Sequence, residues 1–450
     1  MARISPRTPN TGLSSLLEQA KYTQSQFANA VNHAGRAAGL DLRYDHSAVT
    51  HWLAGTQPKP QVRAVIVEVL ARRLKRPVTH TEAGLTPVPS VRGATQGDAV
   101  EDLVDLGTAD MNPSRRGVLA GGLYSAALVV PAFATATPAK AAAKIPPRPT
   151  TRVGQGQVDT VRRMTEKIAD ILDELGAGHA RPMAAAFLVN TVGPYLKASA
   201  TGKVHAGMLS AASDLTYLTG WMAMYEREHG TGQTYYLRAL DLAREAEDHV
   251  TYCRTLRGMS LQASNLRYGS KALEYADSAA EVAPSAGPRL TAFLRGQQAH
   301  AASMVGDKRQ AMNRLRETEA ALAKADNHRD AIGGYDQAAY QFHVAHVLYE
   351  FKDLDGSIKA MRHSLRVQPP QERQGRVHAN GVLAQRQFEL GHVEEACSTW
   401  DRFLDDYQDL SSARGDEHFD TLRNRLAPYT KARAVRDLMA RARDVAAHKA

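Results

Sequence analysis

Between residues 45 and 74 the chain predicts two helices separated by a proline-containing turn. Val49, Trp52 and Leu53 fall on one face of a short first helix, which Gly55 ends. The second helix has a wide apolar face formed by Val62, Val65, Ile66, Val69, Leu70 and Leu74. Because the apolar side of the first helix is used in packing, its polar front is left free for solvent or a ligand.

A further helix is predicted upstream. Thr23 and Gln26 have the spacing of a capping box, and Phe27 begins the apolar face that follows. This order of helices resembles the Cro/repressor-type (XRE-like) helix-turn-helix domains of bacterial regulators over residues 11–76. The matching residues are Gln24, Ser25, Phe27, Ala28, Val49, Trp52, Leu53, Gly55 and Pro58. The connection at 33–45 is longer than the tight turn usual in such domains, which leaves the angle between the two helices open.

The resemblance implies that the helix around Ser47 to Leu53 lies in the major groove of double-stranded DNA. We expect Thr50 and His51 to read base edges, with His46 and Ser47 beside them at the helix front. The residues expected to hold phosphates are Lys21, Gln24, Ser25, Arg43, Lys59 and Arg63. Two subunits would place their reading helices one helical turn of DNA apart, so a homodimer on a near-palindromic site is expected.

Charge supports this prediction because it is unevenly distributed along the chain. The net charge is +9, and residues 1–80 hold eleven Lys and Arg against four Asp and Glu. Residues 81–113 hold one Arg against six acids. A basic excess in the segment that carries the helical pattern is typical of a domain that contacts phosphates, although a small solvated domain can also be basic by chance.

The region from 158 onward predicts paired helices. Val158 to Leu175 and Ala180 to Lys197 form a first pair, interrupted by Gly176 and Gly178. The spacing of Ala272, Ala276, Ala279 and Pro284 recurs at Ser357, Met361, Ser364 and Pro369. It recurs without the proline at Ala311, Leu315 and Thr318 and at Ala396, Trp400 and Phe403. These segments look like degenerate tetratricopeptide repeats, with hairpins near 209–247, 250–283, 288–325, 337–368 and 376–407 and a capping pair. An irregular helical bundle is the alternative.

Stacked hairpins form a groove lined by the first helix of each pair. The residues predicted to line it are Tyr217, Trp221, Tyr225, Asn265, Arg295, Gln298, Tyr340, His343, His346, Asn380 and Arg386. We expect this groove to receive a peptide, a protein segment or a small-molecule effector, although each aromatic residue taken singly is better explained as packed core. His343 and His346 share a helical face, yet no carboxylate or cysteine nearby completes a metal site.

The segment between the two regions, 81–157, is predicted to be a linker with one or two helical turns around Val100 to Leu106. Within it, Arg115 and Arg116 precede about twenty uncharged residues, a pattern that resembles a twin-arginine export signal over 114–136. Three interpretations stay open: a linker or packed helix, a single membrane span over 117–136 with a cytoplasmic N-terminus, or a later translation start that yields a secreted product.

Cys253 and Cys397 lie far apart without metal-ligand spacing, which favours two buried, reduced thiols in a cytoplasmic protein. Phosphate-binding loops, dinucleotide-binding motifs, HExxH and GxSxG are absent from the sequence, so no enzymatic activity and no cofactor is expected. The sequence therefore predicts an all-α protein with a DNA-binding domain at 1–80, a linker at 81–157 and a helical-repeat domain at 158–450. We expect a transcriptional regulator; the alternative is a helical-repeat scaffold for protein interactions, membrane-tethered in one version.

Overall fold

A computed structural model describes residues 8–37, 40, 42–74, 76, 78–86, 99–112, 124–126, 128, 133, 152–283, 287–325 and 335–449. The regular structure in these residues is helical, and an isolated β-bridge joins Arg152 to Ser199. The all-α prediction is therefore confirmed for the part of the chain that the structure describes.

Four helices form an N-terminal bundle: α1 (Thr11–Gln19), α2 (Gln24–Ala37), α3 (His46–Leu53) and α4 (Pro60–Leu74). Phe27, Val49 and Trp52 are buried in its core, and the rings of Phe27 and Trp52 meet edge to face at 6.5 Å. The long connection between α2 and α3 is held by Asn32, which donates to the Tyr44 carbonyl at 2.7 Å and accepts from the Tyr44 N–H at 2.8 Å. This clamp fixes the point at which the chain re-enters the bundle before α3.

The predicted linker contains a longer helix than the one or two turns expected around Val100 to Leu106: α5 (Ala99–Met111) is a full helix packed on the second region. Its side chains Val100, Leu103 and Leu106 recur at three-residue spacing and are buried. Asp110, at its last turn, is also buried and accepts a hydrogen bond from Arg181 Nε at 3.0 Å and one from Tyr235 Oη at 3.0 Å. The acidic residues that suggested a solvated tether therefore include one that anchors the helix.

The second region begins with α6 (Gln155–Leu175), α7 (Ala177–Phe187), a π-helical turn (Leu188–Val192) and α8 (Gly193–Lys197). Paired helices follow: α9 (Gly202–Tyr225) with α10 (His229–Glu245), α11 (His249–Asn265) with α12 (Gly269–Val282), and α13 (Pro288–Met304) with α14 (Lys308–Leu322). The later helices are α15 (Gln337–Glu350), α16 (Leu354–Val367), α17 (Arg373–Glu389), α18 (Val393–Tyr407), α19 (Ala413–Leu426) and α20 (Arg433–Lys449). Each predicted hairpin is present as two helices packed on each other, which confirms the helical-repeat arrangement.

Small residues let the helices of a hairpin approach closely, as the repeated spacing predicted. Ala272 and Ala276 are buried on α12, and the Ala272 carbonyl accepts a hydrogen bond from Ser260 Oγ on α11 at 2.7 Å. Ser357 on α16 donates in the same way to the Ala345 carbonyl on α15 at 2.9 Å. A buried hydroxyl bonded to the facing backbone fixes the register of the two helices.

The stack of hairpins closes on itself, which the sequence did not predict. Helix α6 packs against α17, and Ser411 N donates to the Leu175 carbonyl at 2.9 Å while Gly178 N donates to the Ser411 carbonyl at 3.0 Å. Gly176 makes this closure possible: its φ is +94°, and an added Cβ would lie 2.2 Å from the Ser411 carbonyl oxygen. The inner surface of the stack is therefore walled by α6.

The N-terminal bundle docks on the hairpins through a buried polar contact. Glu68 on α4 is 3% exposed, accepts a hydrogen bond from Tyr268 Oη at 2.6 Å and pairs with Arg72 Nε at 2.8 Å. Ala126 donates its backbone N–H to the same carboxylate, and Tyr124 stacks on the Tyr268 ring at 5.6 Å. Three segments distant in the chain therefore meet at Glu68, and this meeting point is called the docking contact below.

Most of the twin-arginine-like segment 114–136 lies outside the described residues. Its described part lies on the hairpins: Ser125 exchanges two hydrogen bonds with Gln233, at 2.8 and 3.0 Å, and the Phe133 ring meets Tyr252 at 4.8 Å. Among the helices of the described residues, none is long and apolar enough to span a bilayer. Cys253 and Cys397 are buried and form no disulfide.

Candidate functional sites

Helix α3 presents the polar front that the pattern of its apolar residues predicted. Asp45 caps it, accepting hydrogen bonds from Ser47 N and Ala48 N, each at 3.1 Å, and from Ser47 Oγ at 2.6 Å. The hydrogen bond from Ser47 Oγ, followed by that from Ala48 N, lowers the pKa of Asp45. His46, Ser47, Thr50 and His51 are exposed, while Val49 and Trp52 on the opposite side are buried. The front of α3 is therefore a solvent-facing surface of small polar and imidazole groups.

Thr50 and Gln24 meet on this surface. The Thr50 hydroxyl lies 2.7 Å from Gln24 Oε1 and 3.0 Å from the His46 carbonyl oxygen. A hydroxyl has one proton to donate, so only one of these oxygens accepts from it at a time. The contact ties the start of α2 to the middle of α3 and fixes the angle that the long connection had left open.

The residues predicted to hold phosphates differ in their exposure and in their hydrogen bonds. Lys21, Ser25, Arg43 and Lys59 are exposed. Lys21 has a φ of +51°, a backbone conformation uncommon outside glycine, at the turn between α1 and α2. Arg63 instead donates from Nε to the Pro58 carbonyl at 2.7 Å and from Nη1 to the Thr86 carbonyl at 3.4 Å. Arg63 therefore braces the turns beside α4 in this conformation.

The inner surface of the hairpin stack encloses a cavity of about 840 Å³. The predicted residues that line it are Tyr217, Trp221, Tyr225, Asn265, His343 and His346. The lining residues that the sequence did not single out include Arg257, Arg289, Phe293, Tyr335, Phe342, His378 and Arg414, together with Asp170 and Asp173 from α6. A volume of this size is in the range of small-molecule sites, about 300–1,000 Å³.

Five of the residues predicted to line the groove do not line this cavity: Arg295, Gln298, Tyr340, Asn380 and Arg386. Phe293 and His300 on α13 face the cavity. Arg295 and Gln298 each lie two positions from one of these residues, which is about 200° around the helix, so both point away from the cavity. Arg295 Nε accordingly lies 3.1 Å from Glu317 Oε2 on α14, and Gln298 donates to Asp277 Oδ1 on α12 at 2.6 Å.

The other three residues are buried. Arg386 donates to Ser357 Oγ at 2.8 Å and lies 3.3 Å from His346 Nδ1, so its guanidinium joins α17 to α15 and α16. Burial, followed by the charge of Glu319 on α14, raises the pKa of Tyr340 to about 12. Asn380 is buried on α17 and does not line the cavity.

One wall of the cavity is rich in imidazoles, which burial keeps neutral. Burial lowers the pKa of His300 to about 4 and lowers those of His343, His346 and His378 well below the usual value. His343 Nδ1 lies 2.9 Å from Tyr335 Oη. In the described part of the chain, no group of three or more His, Cys, Asp or Glu side chains is arranged to hold a metal ion.

The opposite wall, from α6, is acidic. Glu166, Asp170 and Asp173 line it, and Glu372 at the start of α17 faces them. Burial, followed by the charges of Glu372 and Asp170, raises the pKa of Asp173 to about 7. The cavity therefore has most of its carboxylates on the α6 wall, where Lys167 pairs with Asp170 at 3.0 Å. Arg257, Arg289 and Arg414 lie on the other walls, together with Asp336.

Comparison with known families gives one partial match. Residues 13–86 match the family described as the SP15 N-terminal domain. The matched range covers nearly all of α1, the whole of α2 to α4 and the segment that Asn10 holds against the bundle by donating to the Ala83 carbonyl at 3.0 Å. No curated protein matches the chain.

Proposed function

We propose that this protein is a transcriptional regulator that binds double-stranded DNA through α3 and receives an effector in the cavity of its hairpin stack. The observation that carries the proposal is the exposed polar front of α3, made of His46, Ser47, Thr50 and His51 on a helix whose other face is buried. Side chains of this kind at a helix front reach base edges in a major groove.

Charge around this front favours DNA as the partner. Lys21, Arg43 and Lys59 are exposed cations of the bundle. Glu68, one of the four acids in residues 1–80, is buried at the docking contact and adds no negative charge to the exposed surface. Exposed cations around a polar helix front supply the phosphate contacts on which affinity for DNA depends.

The hairpin stack supplies the second half of the proposal. Its cavity is of small-molecule size, and the bundle docks on the same stack through Glu68 and Tyr268. A ligand that shifts the hairpins relative to each other would move Tyr268, and with it the bundle that carries α3. In a homodimer such a movement would change the separation of two reading helices, about 34 Å on a two-fold DNA site.

Two substitutions test the DNA-binding surface. Thr50→Ala removes a hydroxyl at the front of α3 and should reduce the preference for the selected site by about 1–3 kcal/mol while leaving binding to random duplex nearly unchanged. Lys59→Ala should weaken both kinds of DNA alike and lower the slope of log affinity against log salt by about 1. Lys203→Ala, an exposed lysine on α9, is the matched control and should change neither. Equal losses on specific and random DNA for both variants would contradict the assignment.

A further inference from the structure

Arg257 on α11 lies deep in the cavity between two aromatic rings. The residue is 7% exposed and lines the cavity wall. Its guanidinium carbon lies 4.1 Å from the centre of the Phe293 ring and 5.7 Å from that of Trp221. Cation–π contacts of this kind hold the position of the group.

No hydrogen bond or ion pair joins the Arg257 side chain to another described residue, and its Nε is fully buried without a partner. The other buried arginines of the described residues are paired: Arg181 contacts Asp110 and Glu228, and Arg386 donates to Ser357. A buried charge without a counter-ion is costly, and burial lowers the pKa of Arg257. The cavity therefore holds a cation whose hydrogen-bonding capacity is unused.

The surroundings of Arg257 define the anion that suits it. Rings beside the guanidinium leave donors in its own plane free, and a planar fork of N–H groups matches the two oxygens of a carboxylate. The acidic wall formed by Glu166, Asp170, Asp173 and Glu372 would repel a polyanion in the same cavity. Leu172, Leu218 and Leu261 supply apolar surface for the rest of a ligand.

We propose that the cavity binds an organic monocarboxylate whose two oxygens accept hydrogen bonds from Arg257 and whose apolar part lies against Trp221 and the leucines of the wall. This inference deepens the proposed function, since it rests on the cavity being the effector site and names the class of effector. A free organic acid and the C-terminus of a short peptide carry the same group and are the two sources to be distinguished.

The experiment measures ligand binding to the full chain without DNA, by ligand-observed NMR and by thermal unfolding. Its first probes are hydrocinnamate and its neutral analogue hydrocinnamamide. The second pair is an N-acetylated Gly-Leu-Phe tripeptide with a free or an amidated C-terminus, and phenyl phosphate is the dianionic probe. At least one carboxylate should bind about tenfold or more tightly than its amide, the loss expected for charge-assisted hydrogen bonds. Since no DNA is present, failure here is distinguishable from failure of DNA binding.

Variants locate the effect. Arg257→Gln should remove the difference between carboxylate and amide, and Arg257→Lys, which keeps the charge but loses the fork, should retain part of it. Arg433→Gln, at a side chain that is 89% exposed, is the matched control and should bind as the wild type does. Binding by hydrocinnamate alone identifies a small acid, and binding by the tripeptide acid identifies a peptide C-terminus. Equal binding of acid and amide, tighter binding of phenyl phosphate, or no carboxylate binding at about 10 mM would overturn the proposal.

Discussion

Tyr268→Phe is the most direct perturbation of the docking contact between the N-terminal bundle and the hairpins. It removes one hydroxyl, which donates to the buried Glu68 carboxylate at 2.6 Å. A hydrogen bond to a charged group contributes about 1.5–3 kcal/mol. Glu68 keeps Arg72 and the Ala126 N–H as partners, so we expect the lower part of that range, about 1.5–2 kcal/mol.

The assay is hydrogen–deuterium exchange of α4 in the full chain at pH 8. A loss of about 1.5–2 kcal/mol in opening free energy corresponds to exchange about tenfold to thirtyfold faster. Tyr236→Phe is the matched control, because the Tyr236 hydroxyl is buried with no hydrogen-bond partner among the described residues. Glu68→Gln combined with Tyr268→Phe should give a coupling of about 1–2 kcal/mol. Additive effects, or an α4 exchange rate within twofold of the Tyr236→Phe variant, would refute the docking contact.

Three further predictions concern buried ionisable side chains. Arg181→Met leaves Asp110 buried without its cation and should cost about 3–5 kcal/mol in urea unfolding, whereas Arg433→Met should change stability by less than about 0.5 kcal/mol. The pKa of Asp173 is raised to about 7, so ionisation of this carboxyl group opposes folding, and the free energy of unfolding falls as pH rises from about 4 to 7. The Asp173→Asn variant should therefore be about 1–2 kcal/mol more stable than wild type at pH 8. A less stable variant at pH 8 would contradict this. Burial lowers the pKa of His418 to about 3, so the free energy of unfolding should fall as pH drops below 6.5. His418→Gln should reduce the slope of stability against pH by up to about 1.4 kcal/mol per pH unit. His448→Gln, at an exposed residue, should leave the slope unchanged.

The helices were predictable where local spacing determines them. Val49 and Trp52 mark the buried side of α3, and their spacing alone leaves Thr50 and His51 outside, as the structure has them. The hairpins followed in the same way from small residues such as Ala272 and Ser357, which are buried where two helices cross. In both cases the pattern and the contact lie within one short stretch of chain.

The features of the fold that depend on contacts between distant residues were not predictable from the sequence. The acidic residues of 99–111 suggested a solvated tether. Arg181, the cation that pairs with Asp110, lies 71 residues away, so the local sequence does not indicate that Asp110 is buried in an ion pair. The closure of α6 on α17 depends on contacts between residues more than 200 positions apart, such as Gly178 and Ser411.

The cavity lining shows the same limit. A helix rotation of two positions decides whether Arg295 or Phe293 faces inward, and the sequence around Arg257 contains no sign that its guanidinium lacks a partner.

The central claim is that the front of α3 binds DNA, and it is tested most directly by the affinity of the full-length protein for duplex DNA. We predict a site, selected from random duplexes, that binds at least about a thousandfold more tightly than scrambled duplex. Affinity for both should fall steeply, by at least about tenfold, between about 50 and 200 mM salt. No binding to any duplex at the lower salt concentration would contradict the account.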